Sequence, residues 1–412
     1  MKHIKIIFVF LSFILFLGCV EKYEPKTTTF QDVLVVESTI TNEFKRQEVK
    51  LSRAIPIDGS IPDSERNAIV KITTSNGNTY DFEEVEGGVY KSINAFKAEP
   101  NIFYKLTIKT EDDQIYESTE EMLTPINQIG DIHTEKVENG EVVGVRTFIN
   151  SSIDSEAKYF RYEYEETYKI VTPYSVTKET QIGGIEYPGD CSRLKYVIVL
   201  SDLENFDSKH ICYQTNNNTK ILLKDNLTTD FSINFITSSD FKLRERYSIL
   251  VKQYVLTKQN YLFYEILKKM RSSGNILAEI QKGYFHSNIS GSEDKVVGFF
   301  GVNSVSYKRI YFNYLDFNFQ QPNYLYFCNE TYTYNYLVKN CLPGDGEKER
   351  SLIYQKLYEN YPHYEVLTAS NFFPYLLNGQ YIYAPLIVTL VKPECGNCTN
   401  FSSNIRPDWW QD

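Results

Sequence analysis

Residues 33–122 alternate between hydrophobic and polar positions in short stretches. Residues 104–109 read Tyr-Lys-Leu-Thr-Ile-Lys, and this period of two is typical of a strand with one buried face. Asn76-Gly77 separates two such stretches and is the strongest short signal for a β-hairpin. Because turns recur about every 8–12 residues, we predict an immunoglobulin-like or transthyretin-like β-sandwich over residues 33–123.

The β-type pattern continues beyond a boundary at Thr124-Pro125. Strand-like segments follow in the remainder of the chain, at 142–148, 159–164, 247–255, 296–301 and 309–312. We therefore predict that residues 124–412 form a second, larger β-rich domain. The predicted fold class is mainly β, with one or two helices.

One segment of the second region has a helical period instead. Leu262, Phe263, Ile266, Leu267 and Met270 fall on one face at helical spacing, and a glycine follows at residue 274. This predicts a helix near residues 258–272, and packing against the core is the favoured role over binding. A second helix is predicted within residues 347–361.

The N-terminus has the order of a lipoprotein signal sequence. Lys2 and Lys5 make the first residues basic. Residues 6–17 then form a nearly unbroken apolar run, and Cys19 follows Gly18. The run is too short to span a bilayer, which needs about 20 residues. We predict a signal peptide over residues 1–18, lipidation at Cys19 and a polar tether over residues 19–32. The alternative is an ordinary cleaved signal peptide.

A lipidated Cys19 determines the expected location. One acyl chain binds a membrane only marginally, whereas two or more hold a protein stably. We therefore expect a palmitate-bearing chain that is anchored in the outer membrane, on its periplasmic face or at the cell surface. The membrane itself, contacted through the lipid, is the first predicted partner.

Composition excludes two classes of protein. Aromatic residues make up 15% of the chain, including 33 Tyr, and so many rings argue against disorder. The formal net charge is −10, which disfavours a nucleic-acid partner, because phosphate binding needs basic surface.

Six cysteines remain besides Cys19. They are Cys191, Cys212, Cys328, Cys341, Cys395 and Cys398, which can pair in about 15 ways. Outside the cytosol the default expectation is disulfides, and Cys191–Cys212 is a local pair that we consider. Cys395-Gly-Asn-Cys398 also has the spacing of a redox motif or of zinc ligands, but structural disulfides are the favoured interpretation.

The sequence contains no recognised catalytic motif. The histidines after residue 19 lie far apart, at positions 133, 210, 286 and 363. The acidic pairs Glu83-Glu84 and Glu165-Glu166 are adjacent in predicted strands, so their side chains point to opposite faces, and we interpret them as solvated charge. Trp409-Trp410 near the C-terminus suggests either rings that stack on a sugar or rings that lock the C-terminus in place by packing into the core. We predict no enzyme activity, no cofactor and no metal.

Several of these segments, in this order, resemble a known family. They are the lipobox Cys19, the opening strand at 33–37, Gly88-Val-Tyr90 before 104–106, the 254–267 segment, Gly298-Phe-Phe300 with Lys308-Arg309, and Cys395-x-x-Cys398 with Pro407-x-Trp409. Together they resemble the DUF4249 family, uncharacterised outer-membrane lipoproteins of Gram-negative bacteria.

The resemblance implies a function without catalytic residues. Members of this family are thought to accompany TonB-dependent transporters, so it implies a non-enzymatic binding or accessory component in nutrient uptake. The alternative is a surface adhesin or an envelope-assembly subunit. A hydrolase would need clustered acid and base groups, which the sequence does not display.

Overall fold

The structure is a computed structural model of the 412-residue chain. It describes residues 33–53, 63–140, 142–151, 156–176, 178–183, 197–202, 207–226, 230–273, 287–291, 296–336, 365–369, 375–377, 380–382 and 386–412. Cys19, Cys191 and Cys341 lie outside these residues, as does the predicted helix at 347–361.

Strands dominate the described residues, which confirms the mainly β prediction. In chain order they are β1 Leu34–Thr41, β2 Glu48–Arg53, β3 Ile69–Thr74, β4 Thr79–Glu86, β5 Val89–Ser92, β6 Phe103–Lys109, β7 Ile115–Ser118, β8 Glu121–Met122, β9 Ile129–Asn139, β10 Val142–Ser151, β11 Tyr159–Val171, β12 Lys178–Gly183, β13 Val197–Asp202, β14 Ile211–Asn217, β15 Leu222–Asp225, β16 Phe231–Thr237, β17 Tyr247–Leu256, β18 Ile289–Gly291, β19 Val296–Asn303, β20 Val305–Phe312, β21 Tyr332–Tyr336, β22 Glu365–Ala369, β23 Tyr375–Leu377, β24 Gln380–Ile382 and β25 Leu386–Val391.

Helices are few among the same residues. They are α1 Asp207–His210, α2 Lys258–Ser273 and α3 Pro393–Gly396, with 3₁₀ turns at Phe241–Leu243, Tyr314–Phe317 and Cys398–Asn400. Helix α2 confirms the helix predicted near 258–272. None of the described helices is long and apolar enough to cross a membrane.

The first sheet consists of strands β1–β8 with β18 and β19. Its order is β18-β7-β6-β3-β4-β5-β2-β1-β19, with β8 beside β6. Strand β4 pairs with β3 through residues 79–81 and with β5 through residues 82–86, so one continuous sheet folds over at this strand. Inward side chains from both halves form a single core. The β3–β4 turn contains Gly77 at φ +88°, a conformation that glycine adopts without strain.

The last two strands of the first sheet come from late in the chain. Strand β19 pairs in parallel with β1, from Leu34 opposite Val296 to Thr41 opposite Asn303, and β18 pairs with β7. The predicted division at residues 123/124 is therefore wrong as a division between two contiguous domains. The chain leaves the first sheet there, but an exposed edge at β1 would remain without the returning segment.

A side chain closes the gap between β18 and β19. The Asn288 amide donates to the Phe300 carbonyl at 2.9 Å and accepts from the Phe300 N–H at 2.8 Å. It thus replaces a strand–strand hydrogen-bond pair. The same amide donates to Glu121 at 2.8 Å, which ties in the end of β8.

The second sheet consists of β14, β11, β17 and β20 in that order, with β15 also beside β11. Strand β11 pairs with β17 from Tyr159 opposite Leu256 to Tyr168 opposite Tyr247. A three-stranded sheet of β16, β10 and β9 packs with it around a second core.

Two disulfides attach the C-terminal segment to this second region. They join Cys212 to Cys398 and Cys328 to Cys395. The Cys191–Cys212 pair considered from the sequence is wrong, because β14 places Cys212 beside the turn at Cys398. The two cysteines of the CxxC segment bond to different partners, so they form structural disulfides and not a redox pair with each other.

The two C-terminal tryptophans have different environments. Trp410 is only 4% exposed and packs edge-on against Tyr213 and Tyr311, which confirms the lock interpretation for this ring. Trp409 is partly exposed, and the Arg309 guanidinium lies 3.3 Å from its ring centroid.

A candidate binding groove between the two sheets

A groove of about 800 Å³ lies where the first sheet meets the second. One wall is the outer face of β1, β2 and β19. The other consists of β11, β17 and the loop at residues 218–221, and helix α2 contributes its apolar side. The volume falls within the range typical of small-molecule sites.

The apolar floor of the groove follows from two uninterrupted hydrophobic runs. Residues 33–36 and 296–297 with 299–300 lack the polar alternation of the other strands, which is typical of strands covered on both faces. Val36 points into the first core, while Val35 and Val297 line the groove. Phe263 of α2 packs against Phe299, with ring centroids 5.9 Å apart.

Arg161 of β11 is the main charged group in the groove. Its Cζ atom lies 4.4 Å from the ring centroid of Tyr254 and 4.7 Å from that of Tyr264, both favourable cation–π distances. Its Nη1 donates to Glu163 at 2.6 Å. Burial alone would lower the pKa of Arg161, but the electrostatic interactions with Tyr264, Glu163 and Tyr254 outweigh burial and raise the pKa. The guanidinium therefore stays charged.

Glu163 and Tyr254 complete this cluster. The Tyr254 hydroxyl donates to the second oxygen of Glu163 at 3.0 Å, and burial together with the Glu163 charge raises the pKa of Tyr254. Tyr254 is therefore a hydrogen-bond donor at neutral pH and not a base. The Arg161 Nε is buried with no hydrogen-bond partner.

Charges of both signs stand at the rim. On the first wall, Glu48 pairs with Lys50 at 3.3 Å and with Lys91 at 3.5 Å. Glu37 lies opposite Lys50 across the strands, and Lys220 belongs to the second wall. Within the part of the chain that the structure describes, Glu37 and Lys220 are exposed and have no ion-pair partner.

Comparison with known proteins assigns the family. A family model described as "Domain of unknown function (DUF4249)" matches residues 20–309, which include both walls of the groove. The chain belongs to the DUF4249 family. No curated protein sequence matches it.

Two solved structures resemble parts of this DUF4249 chain. One is a DUF4785 family protein from Legionella pneumophila, 7% identical, covering 53% of this chain and 51% of that chain at a TM-score of 0.15. The chain thus spans about half of that protein. The other is a chain from a structure described as the complete manganese lipoxygenase of Gaeumannomyces graminis and a partial zonadhesin of Komagataella pastoris. It is 12% identical and covers 56% of this chain and 91% of that chain, also at a TM-score of 0.15.

The two histidines that the structure describes, His133 and His210, lie away from the groove of this DUF4249 chain. His133 stacks on Phe148 in the β9–β10 pair, and His210 hydrogen-bonds Thr172 at 2.7 Å. His286 and His363 fall outside the described residues. Among those residues, no group of three or more His, Cys, Asp or Glu side chains could hold a metal ion.

The acidic pair Glu165-Glu166, predicted to be solvated, is only partly so in the structure. Glu165 is partly exposed and bonds Arg309, but Glu166 is 8% exposed. Glu166 accepts from Lys242 at 2.5 Å and from the Tyr247 hydroxyl at 2.9 Å. The solvated interpretation is wrong for Glu166, because its partners come from elements distant in sequence and replace water.

The groove residues were not identified from the sequence. Arg161 and Glu163 alternate with tyrosines in an ordinary strand pattern, so nothing local marks them. The two uninterrupted apolar runs at 33–36 and 296–300 were the available signal, since they indicate that something covers the outer face of the first sheet.

Proposed function

We propose that this chain is an outer-membrane lipoprotein, anchored through Cys19, that binds a ligand for a TonB-dependent transporter. In this role it is a non-enzymatic accessory component of nutrient uptake. The observation that supports it best is the groove, a concave site with an apolar floor and few polar groups, which is the usual form of a ligand site.

The polar groups of the groove suit binding better than catalysis. Arg161 is held by Glu163 and two tyrosine rings, and Tyr254 donates to the same carboxylate. A raised pKa keeps Arg161 charged and Tyr254 protonated at neutral pH. Such an arrangement orients a ligand, while a general base would need a pKa near the working pH.

Anchoring is tested by labelling the cells with radioactive palmitate. Label should enter the wild-type chain and the Cys191→Ala variant, and the Cys19→Ala variant should carry none. Equal labelling of Cys19→Ala would contradict the anchor.

Partnership is tested by affinity purification of the chain after mild detergent extraction of the outer membrane. We expect a TonB-dependent barrel protein to co-purify at a constant ratio. Repeated recovery without any barrel protein, or with fimbrial or secretion subunits instead, would contradict the proposal and favour the adhesin or assembly role.

A further inference from the structure

We infer that the groove binds short peptides with free termini, with the peptide ammonium at Glu37 and its carboxylate at Lys220. This inference rests on the proposed binding function and names its ligand class. It is carried by the distribution of charge and of apolar surface on the two walls.

Counting only described residues, the rim has one unpaired charge of each sign, and the two lie on opposite walls. Glu37 projects from β1 on the first wall, and Lys220 projects from the loop after β14 on the second. The other groove charges are already compensated, Glu48 by Lys50 and Arg161 by Glu163. Among the residues that the structure describes, the groove charges are therefore balanced except at these two positions, and a zwitterion lying across the groove complements both.

The floor between these charges accepts apolar side chains. Val35, Ile221, Leu267 and Val297 line the groove and are each half-buried. They therefore keep accessible apolar surface, and covering it gains about 25 cal/mol per Å². A peptide with aliphatic side chains matches this surface, and the volume of about 800 Å³ holds a few residues.

The aromatic rings argue against a carbohydrate. A sugar needs a broad, accessible ring face, but Tyr162, Tyr254, Phe263 and Phe299 are all at least nine-tenths buried. Tyr264 is more exposed, yet it presents a ring face to Arg161. The rings hold Arg161 and the floor in place and do not offer a stacking platform.

The test uses isothermal titration calorimetry on the detergent-solubilised mature lipoprotein. The probes are Leu-Leu-Leu with free termini, its N-acetylated form, its C-amidated form and maltotriose. We expect the free tripeptide to bind, each blocked form to bind several-fold more weakly, and maltotriose not to bind.

Two rim variants assign each terminus. Glu37→Gln should weaken the free tripeptide several-fold but cause no further loss for the N-acetylated form. Lys220→Gln should do the same for the free and C-amidated forms. Both positions are exposed, so the variants should fold. The matched controls Glu86→Gln and Lys71→Gln change exposed charges away from the groove and should leave all affinities unchanged.

Three results would overturn the inference. These are absence of tripeptide binding, binding of maltotriose, and losses that simply add when a blocked terminus is combined with its rim variant. None of them depends on Cys19 acylation or on a transporter, so failure of the peptide assignment is distinguishable from failure of the proposed function.

Discussion

The first and second sheets are closed by different means. In the first, hydrogen bonds from the Asn288 side chain join β18 to β19, around a core of mostly aliphatic residues. In the second, disulfides attach the C-terminal segment, and a partly buried ion pair lies beside a core with many aromatic side chains around it. The first region also has a partly buried ion pair, Arg53 with Glu65. Among the described residues, the disulfides therefore mark the main difference, because they cross-link only the second region.

This difference determines which substitutions should destabilise each region most. Apolar burial is spread over many residues, so single changes in the first region remove only part of it. A disulfide or a buried ion pair concentrates its effect in two residues, because the loss of one partner leaves the other without compensation. The predictions below test this contrast, from the largest expected effect to the smallest.

Removal of the Cys212–Cys398 disulfide should have the largest effect. The bond closes a loop with a sequence separation of 186, so replacing both cysteines with alanine should lower the free energy of unfolding by roughly 2–5 kcal/mol. Urea denaturation monitored by tyrosine fluorescence measures it. The Cys328→Ala/Cys395→Ala variant, with a separation of 67, is the comparison and should lose slightly less. No loss in either variant would remove the contrast between the regions.

Breaking the partly buried ion pair of Lys242 and Glu166 in the second region should have the next largest effect. In Lys242→Met, the Glu166 carboxylate keeps the Tyr247 hydroxyl but loses its charge partner. This should cost about 2 kcal/mol, less than for a fully buried pair, because the Lys242 side chain is 24% exposed. Adding Glu166→Gln should recover much of the loss, because the buried charge is then gone. Thermal denaturation of the single and double variants tests this, and additive losses would show that the pair does not couple.

Removing the Asn288 side chain, which links β18 to β19 in the first sheet, should lower the stability by less. Asn288→Ala leaves the N–H and C=O of Phe300 without their side-chain partners. Because Asn288 is only partly buried, water can replace these partners in part, and the expected total cost is about 1–2 kcal/mol. Hydrogen exchange at the Phe300 amide should accelerate, while exchange in β11 should stay unchanged. Asn288→Asp keeps the acceptor but turns a carboxylate oxygen toward the Glu121 carboxylate and the Phe300 carbonyl, so at neutral pH it should be no more stable than Asn288→Ala. Equal acceleration in both sheets would mean that the two regions unfold together.

The smallest expected effect is a dependence of stability on pH, caused by Glu121 beside Asn288. Burial raises the pKa of Glu121, although hydrogen bonds from Asn288 and Thr119 partly offset this. The folded state then binds this proton more tightly than the unfolded state, so stability falls as pH rises from about 4.3 through the folded pKa. Glu121→Gln should remove that decline from a series of denaturation curves, whereas Glu120→Gln, which changes an exposed neighbour, should not.

The sequence predicted local structure better than long-range pairing. The alternation at 104–109, the Asn76-Gly77 turn and the 258–272 helix are set by neighbouring residues, and all three are present. The parallel pairing of β1 with β19 depends on contacts across most of the chain, which no local pattern specifies. The boundary at 123/124 was wrong for the same reason.

The candidate site was harder to predict than the fold. Arg161 and Tyr254 become neighbours only when β11 pairs with β17, and Tyr264 joins them from the helix that follows. Likewise, Cys212 finds Cys398 through the placement of β14, although proximity in sequence favoured Cys191. Side chains that meet through tertiary structure leave little trace in composition or spacing.

The late return of β19 has a consequence for how the chain folds. Strand β1 cannot pair with its parallel partner until residues 296–303 have been synthesised and have reached it. These residues follow β1 by well over half the length of the chain. Until then its edge offers unpaired backbone groups to any other chain. Contacts this far apart in sequence slow folding and prolong exposure to aggregation. A fragment that stops near residue 123 keeps that open edge permanently, so a shortened product of this chain should associate with itself where the complete chain folds.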